Sequence, residues 1–394
     1  MILWLAAAGA FVVSLDSMMN IAFPAIAAAF AVPPEAIQWV IICYTGTYAV
    51  TAFAGGAVAD LVGHVRVFRV GVALTVVALV AGALAPSFAW LLAARVLQGV
   101  AGGLIYGTAP GIVTLATAPE RRGRALGTFS AATALGLALG PLPAGAMTDL
   151  FGWRAVFFAR VPVAVVVLAL AVFAPVPRGS MASRRLVAFR DVRRAPIPVM
   201  CALAFLAWAG LFSIWLLAPF YLVERRGFGA ALGGAIFTLT PLGTTLAAPI
   251  AGRMADRIGS AVPLVLGLGL EAIGLGVLAT ADAHTPVTVV CLALFAAGLG
   301  VGTFQVPMMT RVMSAFPSAL QGAAGGLTFM ARTLGLVCGV AVLAALFAAR
   351  RAAVGFDAAF RDAFVAATIF VAAAALLAVV HARGPSRGAR PEDV

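Results

Sequence analysis

Asp16, Asn20 and Pro24 recur at intervals of four in Leu15-Asp16-Ser17-Met18-Met19-Asn20-Ile21-Ala22-Phe23-Pro24, a stretch with no other charge. Residues four apart share one face of a helix, so one carboxylate would stand beside an amide and a helix-breaking ring. An ionisable group within an apolar helix is costly unless it faces protein or water. Its protonation then follows its surroundings, since desolvation favours the neutral carboxyl and a nearby cation the ionised one. That is the chemistry of a group that loads and releases a proton. The plainer alternative is a carboxylate bonded to a neighbouring helix in one fixed state.

Arg95 and Glu271 also fall inside apolar stretches, as do Arg160 and Arg332. A guanidinium stays charged at neutral pH, so Arg95 acts as a fixed charge that biases a carboxylate or draws an anionic group, or else as an anchor to lipid headgroups. Glu271 is a second candidate proton site, or a structural partner of Arg332 or Arg160. Other chemistries lack their residues. His64, His284 and His381 lie far apart, with no aspartate-rich metal motif and no phosphate loop. Cys43, Cys201, Cys291 and Cys338 have neither disulfide nor metal spacing and are expected to be small buried hydrophobes. No enzyme activity, cofactor or metal is expected.

The elements that must position these groups follow from composition. Of 394 residues, 63% are hydrophobic and 10% charged, against roughly 25% charged in soluble domains. Apolar stretches long enough to span a bilayer lie at 2–24, 37–59, 67–86, 88–116, 122–147, 153–175, 196–222, 230–250, 261–281, 286–313, 320–348 and 361–382. An all-α integral membrane protein with twelve spans is therefore expected, with the first span retained as a helix. Every basic residue is arginine, and Arg121, Arg122, Arg124, Arg178, Arg184, Arg185, Arg190, Arg193 and Arg194 crowd onto loops of one side. By the positive-inside rule both termini are cytoplasmic. The net charge of +12 thus reports topology and anionic lipid, and no nucleic-acid partner is expected.

An internal repeat divides the chain. Gly56-Ala57-Val58-Ala59-Asp60 with Gly63 is echoed by Gly252-Arg253-Met254-Ala255-Asp256 with Gly259, 196 positions later. Gly99, Gly103, Gly127, Gly136 and Gly140 recur 199 positions on, as Gly298, Gly302, Gly326, Gly335 and Gly339. Two pseudo-symmetric six-helix halves are expected, 1–177 and 196–382, joined by a cytoplasmic linker at 178–195 and followed by a short tail at 383–394. Parallel halves of this kind place a substrate site between them near the midplane.

The fifth span contains Ala134 to Gly145, ALGLALGPLPAG. Gly127, Gly136, Gly140 and Gly145 let another helix approach closely. Pro141 and Pro143 remove backbone donors and kink the helix, which a bilayer tolerates only where protein or water satisfies the freed carbonyls. The second half has Val340 at the equivalent of Pro141, so the packing is duplicated and the kink is not.

In order along the chain, these segments resemble the drug–proton antiporters of the major facilitator superfamily. Leu15 to Pro24 is similar to that branch's first-helix signature, Gly56 to Gly63 to the superfamily's loop motif, and Arg95-Val96-Leu97-Gln98-Gly99 to its fourth-helix motif. Gly127, Gly136, Gly140, Pro141 and Gly145 resemble the fifth-helix antiporter motif at full spacing, and Trp153-Arg154 with Pro162, and Arg332 with Gly335 and Gly339, add looser matches. The branch with fourteen helices is similar in style, but the stretch between the sixth and seventh spans has no room for its extra hairpin. Further departures are His64 and Val65 before Arg66 where the loop motif is usually basic, Ala144 for a motif glycine, and Arg160 where a small polar residue is usual.

The resemblance implies a major facilitator fold with Arg95 and Asp16 in proton coupling, and with the fifth-helix bend closing one side of the cavity against leak. It also implies a gate at Gly56, Asp60, Gly63, Arg66 and Asp256, where a carboxylate can stabilise a helix N-terminus. A drug cavity should be mostly apolar and aromatic and adaptable, which suits methionine. The candidates are Met18, Met19, Asn20, Tyr44, Tyr48, Tyr106, Trp208, Trp215, Gln305 and Met308, whose aromatic faces would hold a cationic drug. The expectation is a monomeric exporter in a bacterial plasma membrane, with protons, lipids and a lipophilic small molecule as partners. A proton-coupled symporter of a small metabolite is the alternative.

Overall fold

The computed structural model describes residues 2–117, 129, 132–133, 135–173, 197–315 and 321–383. The helices are α1 (Leu3–Ile21), α2 (Gln38–Val62), α3 (His64–Ala83), α4 (Phe88–Leu115), α5 (Leu135–Phe151), α6 (Ala155–Phe173), α7 (Ile197–Arg225), α8 (Ala230–Ile258), α9 (Ala261–Leu278), α10 (Val287–Ala315), α11 (Gln321–Val354) and α12 (Phe356–Arg383). Eleven contain a stretch long and apolar enough to cross a membrane; α5 is shorter among the described residues. Long apolar helices suit hydrocarbon, because each satisfies its backbone polar groups within its own segment. The expected connector at 178–195, Gly127, and the tail beyond residue 383 lie outside the described residues.

Packing repeats with a shift of six helices. In the first half α4 packs on α1, α2 and α3, while α6 packs on α1 and α3. In the second, α10 packs on α7, α8 and α9, while α12 packs on α7 and α9. The α1–α5 pair is matched by α7–α11, and the two halves meet along α5–α8 and α2–α11, which are themselves a symmetric pair of contacts. The glycine repeat explains the register. Thr51 Oγ1 donates to the Gly99 carbonyl at 3.2 Å and Thr244 Oγ1 to the Gly298 carbonyl at 3.0 Å, so each half's fourth helix lies against its second by the same device. A Cβ at Gly298 would collide with the Thr240 carbonyl, whereas one at Gly269 would meet open space. Gly298→Leu is accordingly expected to lower the yield of monodisperse protein about tenfold, and Gly269→Leu to leave it unchanged. Size-exclusion chromatography of the two variants checks this, and equal yields would contradict the packing role.

Two interruptions matter for the site. The α1 segment tightens into a single 3-10 turn at Leu15–Ser17, centred on Asp16, a local change of winding of the kind found at functional positions. In α5 the helix breaks at Gly140 and restarts at Pro141, where the two prolines were expected to bend it.

Candidate functional site

Asp16 is held from two other helices. Arg95 of α4 donates from Nη1 to Asp16 Oδ1 at 2.6 Å and from Nη2 to Oδ2 at 2.8 Å. Arg160 of α6 donates from Nη1 to the same Oδ1 at 2.8 Å. Gln98, one helical turn beyond Arg95, adds a bond from Nε2 to Oδ1 at 2.9 Å and accepts one from Arg95 Nη1 at 2.8 Å. Two backbone carbonyls steady the arginines: Arg95 Nε donates to Val40 at 3.0 Å and Arg160 Nε to Val156 at 3.2 Å. The arginine side chains are 2% and 1% exposed, and that of Asp16 is 14% exposed. The fork-on-carboxylate geometry is the strong form of a charged hydrogen bond. One carboxylate nevertheless serves two guanidiniums, so this buried group carries a net positive charge.

Aromatic rings surround the cluster and run from it to the second half. The Arg95 guanidinium lies 4.3 Å over the Tyr44 ring, which stacks on Tyr48 at 5.9 Å. Tyr48 meets Tyr106 at 5.5 Å and, across the halves, Phe329 of α11 at 5.3 Å. Tyr106 also shares a 2.7 Å hydrogen bond with Ser14 of α1. On the far side Arg332 lies 4.3 Å over Trp208 and 4.8 Å over Phe329, and the α7 rings continue through Phe212 to Trp215. A void of about 10 Å³, the size of a single water, borders Tyr44 and Gln98.

The expected gating residues fall into two groups. Gly136 and Gly140 face α1, where a Cβ would strike the Phe11 carbonyl or the Ser17 hydroxyl. Past the break α5 turns to the other half: a Cβ at Gly145 would collide with the Ala230 carbonyl of α8, and one at Gly234 with that of Pro141. Asp149 completes the seam, accepting from the backbone N–H groups of Ala230 at 2.9 Å and Ala231 at 2.7 Å. The Glu35–Arg351 ion pair, 3.2 Å, joins the halves on the same end, where α1 leads into α2. At the opposite end Gly63 and Gly259 take matching left-handed turns, φ 100° and 82°. Gly56 packs on the Gly107 carbonyl, Arg66 and Asp256 are exposed, and the Asp60 side chain lies outside the described residues.

Residues 5–340, and again 200–393, match the Major Facilitator Superfamily. The chain belongs to the major facilitator superfamily. This facilitator is 27% identical over 405 residues to multidrug resistance protein Stp of Mycobacterium tuberculosis (strain CDC 1551 / Oshkosh), across 86% of this chain and 74% of that protein. It is 26% identical over 395 residues to riboflavin transporter RibZ of Clostridioides difficile (strain 630), across 86% of each. The crystal structure of the nucleoside transporter NupG superimposes with a TM-score of 0.77 at 12% identity, covering 96% of this chain and 99% of that one. It is thus a multi-pass membrane transporter and not an enzyme.

Among the sequence candidates, this facilitator brings together Asp16, Arg95, Tyr44, Tyr48, Tyr106 and Trp208. Met18, Met19 and Asn20 are buried at the end of α1, with Asn20 Nδ2 donating to the Ser17 carbonyl at 3.1 Å. Trp215 is buried further along α7, Met308 is buried in α10, and Gln305 is half-buried there. Glu271 departs from the pairing expected of it. Arg160 is committed to Asp16 and Arg332 to the rings, while Glu271 is buried where α9 meets the glycine face of α10, with neither carboxyl oxygen hydrogen-bonded. Asp149 was missed because its partners are backbone amides 81 and 82 positions away. Gln98 had a signal, since a residue three beyond Arg95 shares its face.

Proposed function

We propose that this facilitator exports lipophilic compounds, drugs or antibiotics, in exchange for protons by alternating access, with Asp16 as the proton carrier. The observation behind this reading is the Asp16–Arg95–Arg160 cluster, a single carboxylate on which arginines from two further helices converge, beside aromatic walls shared by both halves. Protonation of Asp16 removes the charge that ties α4 and α6 to α1, so proton loading and helix rearrangement are one event. A bound substrate and a bound proton then favour different arrangements of the arginines, so that each displaces the other. Met18, Met19, Tyr48, Tyr106, Trp208 and Trp215 are the walls assigned to the substrate, and Glu271 is a second titrating group within the second half.

Gating follows the same division. With both termini in the cytoplasm, as the arginine-rich loops argue, the Gly145–Ala230 and Asp149–α8 seam closes the outer end. The Gly56–Gly63 turn with Asp60 and Arg66, and its echo at Asp256, form the inner gate of a monomer in a bacterial plasma membrane. Similarity to Stp supports a drug substrate. Similarity to RibZ favours the second reading, a metabolite carried on the same fold.

Inside-out vesicles with an imposed pH gradient separate the two. Cationic, neutral and anionic lipophilic compounds are added in turn, and the gradient is followed with a fluorescent weak base. Export by antiport predicts that some compounds discharge the gradient only where the protein is present. Symport from outside predicts no discharge by compounds added to the exposed cytoplasmic face, and that result would overturn the export reading.

A further inference from the structure

We infer that the substrate binds as an anion, its acidic group held at Arg332 against Trp208 in the cleft between the halves. The inference deepens the functional reading above and rests on its placing the substrate in that cleft. Arg332 is half-buried in α11, well inside a span, with its guanidinium over the rings of Trp208 and Phe329 and with no acidic side chain among its described contacts. An intramembrane arginine normally pairs with an acid or faces a water-filled cavity on a substrate path. Among the described residues no acid is free to pair with it, since Asp16 is already shared by Arg95 and Arg160 and the backbone of Glu271 lies against Gly300 of α10.

Two further observations agree in sign. Among the described residues, the buried side-chain groups left without a hydrogen-bond partner are Arg160 Nη2, Trp208 Nε1, Trp215 Nε1 and the two oxygens of Glu271. Glu271 apart, all are donors, and Trp208 stands directly beneath Arg332. Unmet buried donors are costly, and a ligand bringing oxygens satisfies them. Two of the aromatic faces expected to receive a cation are also taken, because Arg95 covers Tyr44 and Arg332 covers Trp208. A cationic drug would meet the protein's own guanidiniums there. An aromatic carboxylate would instead accept from Arg332 and lay its ring among Tyr48, Tyr106 and Phe329.

The test is equilibrium binding to the purified full chain in detergent by titration calorimetry. The probes are naphthalene, biphenyl and anthracene compounds, each prepared as carboxylate, primary amide and aminomethyl forms. On at least one scaffold the carboxylate should bind about tenfold more tightly than its amide and amine, the effect of one charge-assisted bond. Arg332→Gln should remove that preference and Arg332→Lys should restore part of it, while an unchanged elution position on size-exclusion chromatography shows that both variants fold. Equal binding of the three forms, preference for the amine, absence of carboxylate binding on every scaffold, or a preference that survives Arg332→Gln would each overturn the proposal. So would displacement of nothing but phosphatidylglycerol, which would make Arg332 a lipid contact. No pH gradient enters the measurement, so failure of antiport leaves this result standing, and failure here leaves antiport standing.

Discussion

Asp16→Asn is expected to reduce proton-driven export by at least ~100-fold while substrate–substrate counterflow persists. Asparagine keeps the size and one acceptor oxygen but cannot carry a proton between the two sides. The carboxylate is also the sole acidic partner of Arg95 and Arg160 among the described residues. Removing one member of a buried pair leaves an unbalanced charge at a cost of about 3–5 kcal/mol, so the single variant should also lose yield. Asp16→Asn with Arg160→Gln restores the cluster's original net charge, since each change removes one charge of opposite sign. The double variant should therefore recover its yield and keep its counterflow, yet remain unable to use a pH gradient. Reconstituted vesicles loaded with unlabelled substrate measure counterflow, and the same vesicles under a pH jump measure coupling. If the double variant concentrates substrate against a pH gradient as the parent does, Asp16 is a structural group and the coupling assignment is wrong. Loss of both activities in a well-folded double variant would show that the cluster serves substrate movement itself and is not confined to the proton step.

The architecture was legible because bilayer physics leaves few choices. Apolar stretches of sufficient length must be helices, and glycines repeating 199 positions apart must pack in the same way twice, as Gly99 with Thr51 and Gly298 with Thr244 do. The bend at Gly140–Pro141 was equally open to reading, because proline's missing donor is a local property. The electrostatics were legible only in part. Asp16, Arg95 and Arg160 all stood out as charges in apolar surroundings, but Arg160, 144 residues from Asp16, suited Glu271 as a partner equally well and did not announce itself as the third member of the cluster. Helical spacing shows what shares a face within one helix and is silent on which distant helix that face meets. For the same reason Glu271 looked available to Arg332 or Arg160, when its backbone lies against Gly300 of α10 and neither carboxyl oxygen is hydrogen-bonded. Asp149 is the extreme case, since its partners are main-chain amides and no residue type could have announced them.

Gly145→Leu is expected to abolish transport, by at least ~100-fold, through failure of one end of the bundle to close. The Ala230 carbonyl occupies the place where even a methyl group would stand, with Ala231 beside it, and Gly234 returns the same close approach toward Pro141. Any side chain at 145 must push α5 and α8 apart, which also draws Asp149 away from the amides of Ala230 and Ala231. Ile21 packs on Gly233 within this seam and can report its opening as a single cysteine, with Cys43, Cys201, Cys291 and Cys338 replaced by alanine. In that background, Gly145→Leu should raise the rate of labelling by an impermeant maleimide about tenfold, while Asp149→Asn, which retains one acceptor, should raise it only a few-fold. Equilibrium binding of substrate should survive in both, because the Asp16 cluster and the Arg332 rings lie deeper in the bundle. A Gly145→Leu protein that labels slowly and transports normally would show that the seam accommodates a side chain without opening, and the α5 break would then be a packing feature with no part in the transport cycle.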